Sequence, residues 1–272
     1  MTLTQEHSLL PTYFTPPLTN PAPGGLVNAV SWTEETGPPR WVEAGIALRS
    51  SVSGNFSGEL SAGVWGAGWC DEPGSGSVSG EVKEGVRPDD PGTFFGITCW
   101  GFDACDLTPE SRAEVLTRCQ QVLRIREPNL VAREFAGRLL VDAGAPIAGG
   151  DLIEAVGEIE CLFADANVVG AVHCSPFLLP HLVSHVLITR GGVGGWLTPG
   201  GHAVIFDGGY RPVLGDSLLI ATSRPLWGWR ETVAVRDVID YQENTYIGIA
   251  ERSCVIAYEQ PLGAVSIEGG SA

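Results

Sequence analysis

Lysine is almost absent from this chain of 272 residues: Lys83 is the only one, and Lys and Arg together number 16 against 32 Asp and Glu, a formal net charge of −16. That balance argues against a fixed grip on DNA or RNA, whose affinity comes largely from cations set on phosphates. It reads as a solvated acidic surface that keeps the protein soluble. Long apolar runs are missing too, since no window approaches the roughly 20 uninterrupted apolar residues of a membrane span. The start, MTLTQEHSLLPTYFTPPLTNPAPGG, has neither a basic segment nor an apolar h-region. A cytoplasmic protein without a membrane partner is expected. The seven cysteines, at 70, 99, 105, 119, 161, 174 and 254, include no CxxC pair. Neither a zinc site nor a disulfide framework is expected, and the odd count suits reduced, mostly buried thiols. GxSxG, a DxD cluster on a helix and every cofactor fingerprint are also missing, so no cofactor is expected.

Glycine, by contrast, is plentiful, and LTPGGHAVIFDGGY (197–210) follows ITRGGVGGW closely. A phosphate cradle needs backbone N–H groups opening a helix directly after a strand, in a spacing such as GxGxxG. Gly192 and Gly194 begin that spacing, but Leu197 stands where its third glycine would be, and no lysine follows. The run His202–Phe206 between glycine pairs predicts turn, strand, turn.

The length allows one large domain or two smaller ones. Residues 1 to about 40 are proline-rich without a strong period and read as an extended arm rather than a packed element. From Trp41 to Trp100 the chain is β-prone and rich in glycine around a polar, turn-rich middle, which predicts a long projecting hairpin. Thr108-Pro109-Glu110 then has the order of a helix start: N-cap, first-turn proline, acid at the positive end of the dipole. Val115, Leu116, Cys119, Val122, Leu123, Leu130, Val131, Phe135 and Leu139 keep a helical period to about Asp142, interrupted only at Pro128. Asp151 and Glu154 have capping-box spacing before a second helix to about Ala164. Residues 168–173 read as a strand, Ser175-Pro176 caps a third helix through Val186, and the chain after Asp216 is mainly β. The fold class is α+β, without a repeated βαβ unit.

Candidate chemistry is sparse. His181 and His185 stand four apart on one predicted helix face, the spacing of zinc proteases, but Leu182 replaces the required glutamate and no third ligand is evident. Cys174 follows His173 and precedes a helix N-terminus, where a thiolate would be stabilised. Adjacent strand residues point to opposite faces, so His173 is poorly placed as its base, and a buried structural thiol is the simpler reading. Paired tryptophans, Trp65 with Trp69 and Trp227 with Trp229, suit stacking on sugars or bases and suit hairpin packing or subunit contacts equally.

The order of elements resembles that of the major capsid proteins of tailed bacteriophages, the Hong Kong 97 type fold also found in encapsulin shells. Residues 1–40 resemble the N-arm, 41–106 the E-loop hairpin and leading P-domain strand, and 107–145 the P-domain spine helix. Residues 146–233 resemble the A-domain, which packs around fivefold and sixfold centres, and 234–272 the C-terminal P-domain strands. HCSPFLLPHLV (173–183), LTPGGHAVIFDGGY (197–210) and AERSCVIAYEQPLGA (250–264) are similar to segments of actinobacteriophage capsid subunits.

The resemblance implies a structural protein, not an enzyme, that self-assembles as pentamers and hexamers into an icosahedral head. The head would enclose double-stranded DNA without sequence-specific binding, in the virion after assembly in the host cytoplasm. Portal, scaffold and decoration proteins are the implied partners; no scaffolding segment precedes the arm, so a separate scaffold or none is expected. Phe94, Phe95 and Trp100 are expected near subunit interfaces. The alternatives are an encapsulin-type nanocompartment around protein cargo and a soluble cytoplasmic enzyme using Cys174 or His181 and His185. Some family members weld subunits through an isopeptide bond between an E-loop lysine and a P-domain asparagine, with a glutamate accepting the proton; Lys83, Asn244 and Glu251 resemble that set. Aligning Glu251-Arg252 with the acid–arginine pair of those relatives moves the acceptor and base onto Glu243 and Ala250, which cannot react, and a one-residue slip turns every strand side chain to the other face. Glu81 and Glu84 beside Lys83 also favour its unreactive charged form. A shell held by non-covalent contacts alone is the expectation.

Overall fold

The computed structural model describes residues 14–38, 40–49, 92–191 and 195–268. The interior of the expected hairpin, with Trp65, Trp69, Cys70 and Lys83, lies outside them, as do Gly192 and Gly194. In chain order the elements are α1 (Leu26–Ala29), β1 (Val30–Glu35), a 3-10 turn (Trp41–Ala44), β2 (Ile46–Ala47), β3 (Thr93–Phe94), β4 (Ile97–Cys105), α2 (Pro109–Asp142), β5 (Ile147–Ala148), α3 (Leu152–Ala166) and β6 (Gly170–Cys174). Then follow α4 (Leu178–Ser184), β7 (Thr189–Arg190), β8 (Trp196–Leu197), β9 (Ala203–Phe206), α5 (Arg211–Leu214), β10 (Leu218–Ser223), β11 (Leu226–Glu231), β12 (Ala234–Asp240), β13 (Thr245–Ala257) and β14 (Pro261–Ser266). The architecture is α+β, with a five-stranded sheet β1-β11-β13-β12 extended by β4 on β13, and a seven-stranded sheet β5-β14-β10-β6-β9-β8-β7.

The long helix forms as its signals direct. Thr108 caps it, its hydroxyl accepting from the Ser111 amide at 3.3 Å, and Pro109 fills the first position, where no intrahelical N–H is needed. Pro128 is accommodated within a single 34-residue helix of about 51 Å. Its larger buried residues step by four, Val115, Cys119, Leu123, Glu127, Val131, Phe135 and Leu139, with Ala132 and Ala136 buried beside them. Four residues turn about 400°, so this ladder drifts about 40° per step and winds around the rod. Val122 and Leu130, which fit the apolar period, fall outside the winding ladder and are each 41% exposed. The N-terminal half packs on β4 and β13, and the C-terminal half reaches α5 beneath the seven-stranded sheet.

The arm departs from expectation over residues 26–35. Leu26 is fully buried, and Val30–Glu35 forms a strand parallel to β11, Val30 opposite Leu226 through Glu35 opposite Glu231. A lone strand of this composition needs a partner, and the partner lies about two hundred residues downstream. Trp32 pins the pair: its ring lies where a Cβ on Gly228 would be, its indole N–H donates to the Val27 carbonyl at 2.7 Å, and Arg230 stacks 5.0 Å from its centre. Of the expected hairpin, the described residues include the antiparallel pair Ile46 with Phe94 and Ala47 with Thr93.

A second core lies between the seven-stranded sheet and α3 with α4, built from Val156, Ile159, Phe163, Val172, Leu178, Leu182 and Leu219 among others. The capping box of Asp151 and Glu154 starts α3. His173 sits on the other side of β6, between the two cores, ring against Phe135 and fully buried. Its Nδ1 meets the Tyr210 hydroxyl at 2.8 Å and its Nε2 the Thr222 hydroxyl at 3.0 Å. Burial, and then the charge of Arg224, push its pKa down to about 3 from 6.5.

Two outcomes follow from these buried groups. Glu127 and Arg252 form a two-pronged pair across the spine and β13, with 9% and 19% of their side chains exposed. Glu127→Ala strands the Arg252 charge and should lower the urea-unfolding free energy of the subunit by about 3–5 kcal/mol, whereas Glu127→Met with Arg252→Met should recover most of that loss. For His173 the folded pKa lies below the unfolded one. Its contribution is complete above pH 6.5 and is lost as pH falls toward 3, by up to about 1.4 kcal/mol per unit. The stability advantage of wild type over His173→Gln, measured by urea titration of the unassembled subunit, should shrink steadily from pH 6.5 to 4; a constant difference would contradict a neutral buried imidazole.

Candidate functional site

The spine helix covers one face of the five-stranded sheet, and the other face is covered only at one end, where the Trp41–Ala44 turn packs on it. Residues directly opposite in an antiparallel pair share a face, so the register places Trp100, Phe102 and Ala104 of β4 beside Glu251, Ile249 and Ile247 of β13, and these beside Ala234, Arg236 and Val238 of β12. The alternate residues Cys99, Gly101, Gly248 and Arg252 face the spine helix. The first set faces outward, with Trp100 61%, Val238 57% and Phe102 46% exposed. Large apolar side chains in contiguous array on a solvent face mark an interaction surface.

At one end of this face lies an ionic cluster. Glu251 is buried, with one carboxylate oxygen 2.9 Å from Arg40 and the other 3.0 Å from Arg236. The Arg40 amide donates to Glu231 at 2.9 Å. Phe95, 70% exposed, stands at the hairpin base, but Phe94 does not line an interface. It is buried edge-on against Tyr258 at 5.1 Å, with the Arg138 guanidinium 4.0 Å over its ring, because Arg138 also donates to the Thr93 carbonyl at 2.6 Å and holds the strand onto the helix.

The candidate chemical residues are not gathered into a reactive site. Cys174 is fully buried in the second core, and desolvation pushes its thiol far above the ordinary range. His173 faces the opposite side of the strand. His181 lies exposed on α4 with its ring 5.3 Å from Phe177, and exposed His185 follows the last helical residue. Among the described residues no group of three His, Cys, Asp or Glu side chains is placed to hold a metal. Asn244 takes a left-handed conformation at the β12–β13 turn, and seven strand residues set it about 23 Å from Glu251 in the same chain. Lys83 lies outside the described residues. Trp227 and Trp229 are half-buried on β11, paired with Ala257 and Val255.

The glycine-rich turn after β9 holds an anion of its own. The Asp207 carboxylate accepts from the Gly209 amide and from the Leu26 amide, each at 2.9 Å, and both bonds are buried. The Gly209 and Leu26 amides are thus engaged, and residues 26 and 207 are tied together. Desolvation raises the Asp207 pKa, against the two amides that lower it. Gly209 is required by close approach, because a Cβ there would strike the Asn129 carbonyl of the spine and lie 2.7 Å from the Arg133 nitrogen. Grooves of about 300 and 500 Å3 flank the spine, and Arg252, Arg230 and Arg124 in the larger one are held by Glu127, Glu34 and Asn20.

No family model matches the chain, and no curated protein matches it. Solved structures do. A structure from Mycobacterium phage Che8 superposes with a TM-score of 0.51 at 12% identity, covering 96% of this chain and 97% of its own. The mature capsid of bacteriophage PhiM1 gives 0.51 at 11% identity, covering 97% and 92%, and the capsid of Ralstonia phage GP4 gives 0.51 at 10% identity, covering 96% and 94%. The likeness runs from one end of the chain to the other. The chain has the Hong Kong 97 type fold of phage major capsid subunits.

Proposed function

We propose that this protein is the major subunit of an icosahedral phage head, assembling as pentamers and hexamers around double-stranded DNA, with the virion as its final location. The observation that carries the reading is the outward sheet face: Trp100, Phe102 and Val238 stand exposed on a fold whose end-to-end structural counterparts include two phage capsids. An apolar array of this kind is expected where neighbouring copies supply the missing contacts. Supporting it, both oxygens of the buried Glu251 carboxylate on that face are held by arginines and Cys174 lies fully buried, so these groups favour packing over catalysis.

Electron microscopy and size exclusion of the full-length chain test the proposal. Closed shells of many copies are expected, and a small discrete oligomer that loses an activity on thiol alkylation would replace it with an enzyme. A DNA-filled head with a portal vertex accords with the phage reading; a small closed shell around protein would move the assignment to a nanocompartment. Trp100→Ser with Phe102→Ser should leave the subunit's melting temperature within about 2 °C, since both are surface positions, while lowering shell yield about tenfold. Unchanged yield would remove this face from the assembly.

A further inference from the structure

The solvent side of the spine helix carries charge that the chain itself does not neutralise. Arg126 and Arg133 are exposed, and among the described residues neither side chain has a hydrogen-bond, ion-pair or ring partner. No acid lies three or four positions from either: Val122, Leu123, Asn129 and Leu130 surround Arg126, and Asn129, Leu130, Ala136 and Gly137 surround Arg133. Seven residues return to nearly the same side of a helix, so the two arginines stand on one line, about 10.5 Å apart. Exposed Val122 and Leu130 flank that line.

Helix α3 offers the complement. It contains no Lys or Arg, and Glu154, Glu158, Cys161 and Asp165 lie on its exposed face, opposite buried Ile159 and Phe163. Glu158 and Asp165 are also seven apart on one line, with about the same 10.5 Å spacing, and neither has a partner among the described residues. Ile153, 52% exposed, stands at the far edge of the exposed face, about 140° around the helix from Glu158, and the space a Cβ of Gly157 would occupy is open, so another helix can come close.

We propose that α3 of a second copy docks along the spine helix, Glu158 and Asp165 meeting Arg126 and Arg133. The contact rests on the shell reading above. It joins two different faces, and contacts of that head-to-tail kind propagate into rings rather than stopping at a dimer. Complementary charge selects the partner and register.

Charge exchange tests it on the full-length chain. Arg126→Glu with Arg133→Glu, and separately Glu158→Arg with Asp165→Arg, should each reduce shell yield about tenfold through like-charge apposition, with unchanged circular dichroism and melting temperature. The milder pair Arg126→Gln with Arg133→Gln guards against a folding defect and should reduce yield in the same direction. All four reversals together should restore yield to within about twofold of wild type. Wild-type yield from either double reversal, or no recovery in the fourfold variant, overturns the contact. Normal shells that lose retained DNA on reversal of the arginines also overturn it and give the face to phosphates. If wild type forms only a small oligomer, the shell reading fails, and the same exchange scored on that oligomer decides the contact separately.

Discussion

Backbone lies on backbone where the spine helix meets the five-stranded sheet, and the remaining structure is arranged around that contact. A Cβ on Gly101 would strike the Cys119 carbonyl and lie 2.6 Å from the Leu123 nitrogen; one on Gly248 would lie 2.9 Å from Val115. With no side chain between them, helix and sheet come close enough for Glu127 to engage Arg252 inside the seam. A single helix used in this way covers only one side of the sheet. The apolar outer side of β4, β13 and β12 is the direct result, and it makes the subunit an incomplete object on its own.

Local signals in the sequence were legible, and long-range ones were not. Thr108-Pro109-Glu110 and the Asp151–Glu154 box mark helix starts whose physics is contained within four residues, and both helices begin there. The 2-residue pairing at the hairpin base and the turn-strand-turn around β9 also follow from local composition. By contrast β1 is a strand only because β11 exists, and nothing within residues 26–40 announces that partner. Glu127 carries no apolar signal, yet it occupies the buried ladder because Arg252 arrives opposite it from a strand 125 residues away. The aromatic pair Phe94-Phe95 divides between core and surface, a distinction set by strand alternation that composition does not reveal. As for the candidate site, Trp100 was legible as an exposed aromatic, but its grouping with Val238 and Ile247 needed the register of three strands.

Acidity and association are reconciled by range. At physiological ionic strength charges are screened beyond about 8 Å, so the net charge of −16 sets solubility more than it opposes contact. The basic residues are also unevenly placed: Arg112, Arg118, Arg124, Arg126, Arg133 and Arg138 all lie on the spine helix. Within one chain they already tie the arm, the sheet and the hairpin base to the rod, through Asn20, Asp103 and Thr93 respectively.

The winding of the buried ladder has a mechanical meaning. Between Val115 and Leu139 it turns about 240°, so the two lobes grip different sides of one rod. Rolling either lobe about the rod would lift ladder residues out of their seats one after another. Bending is cheaper, because Pro128 already removes one backbone hydrogen bond near the middle of the helix. A chain built this way resists torsion and yields in flexure, the compliance that the proposed shell would ask of copies sitting at slightly different curvatures.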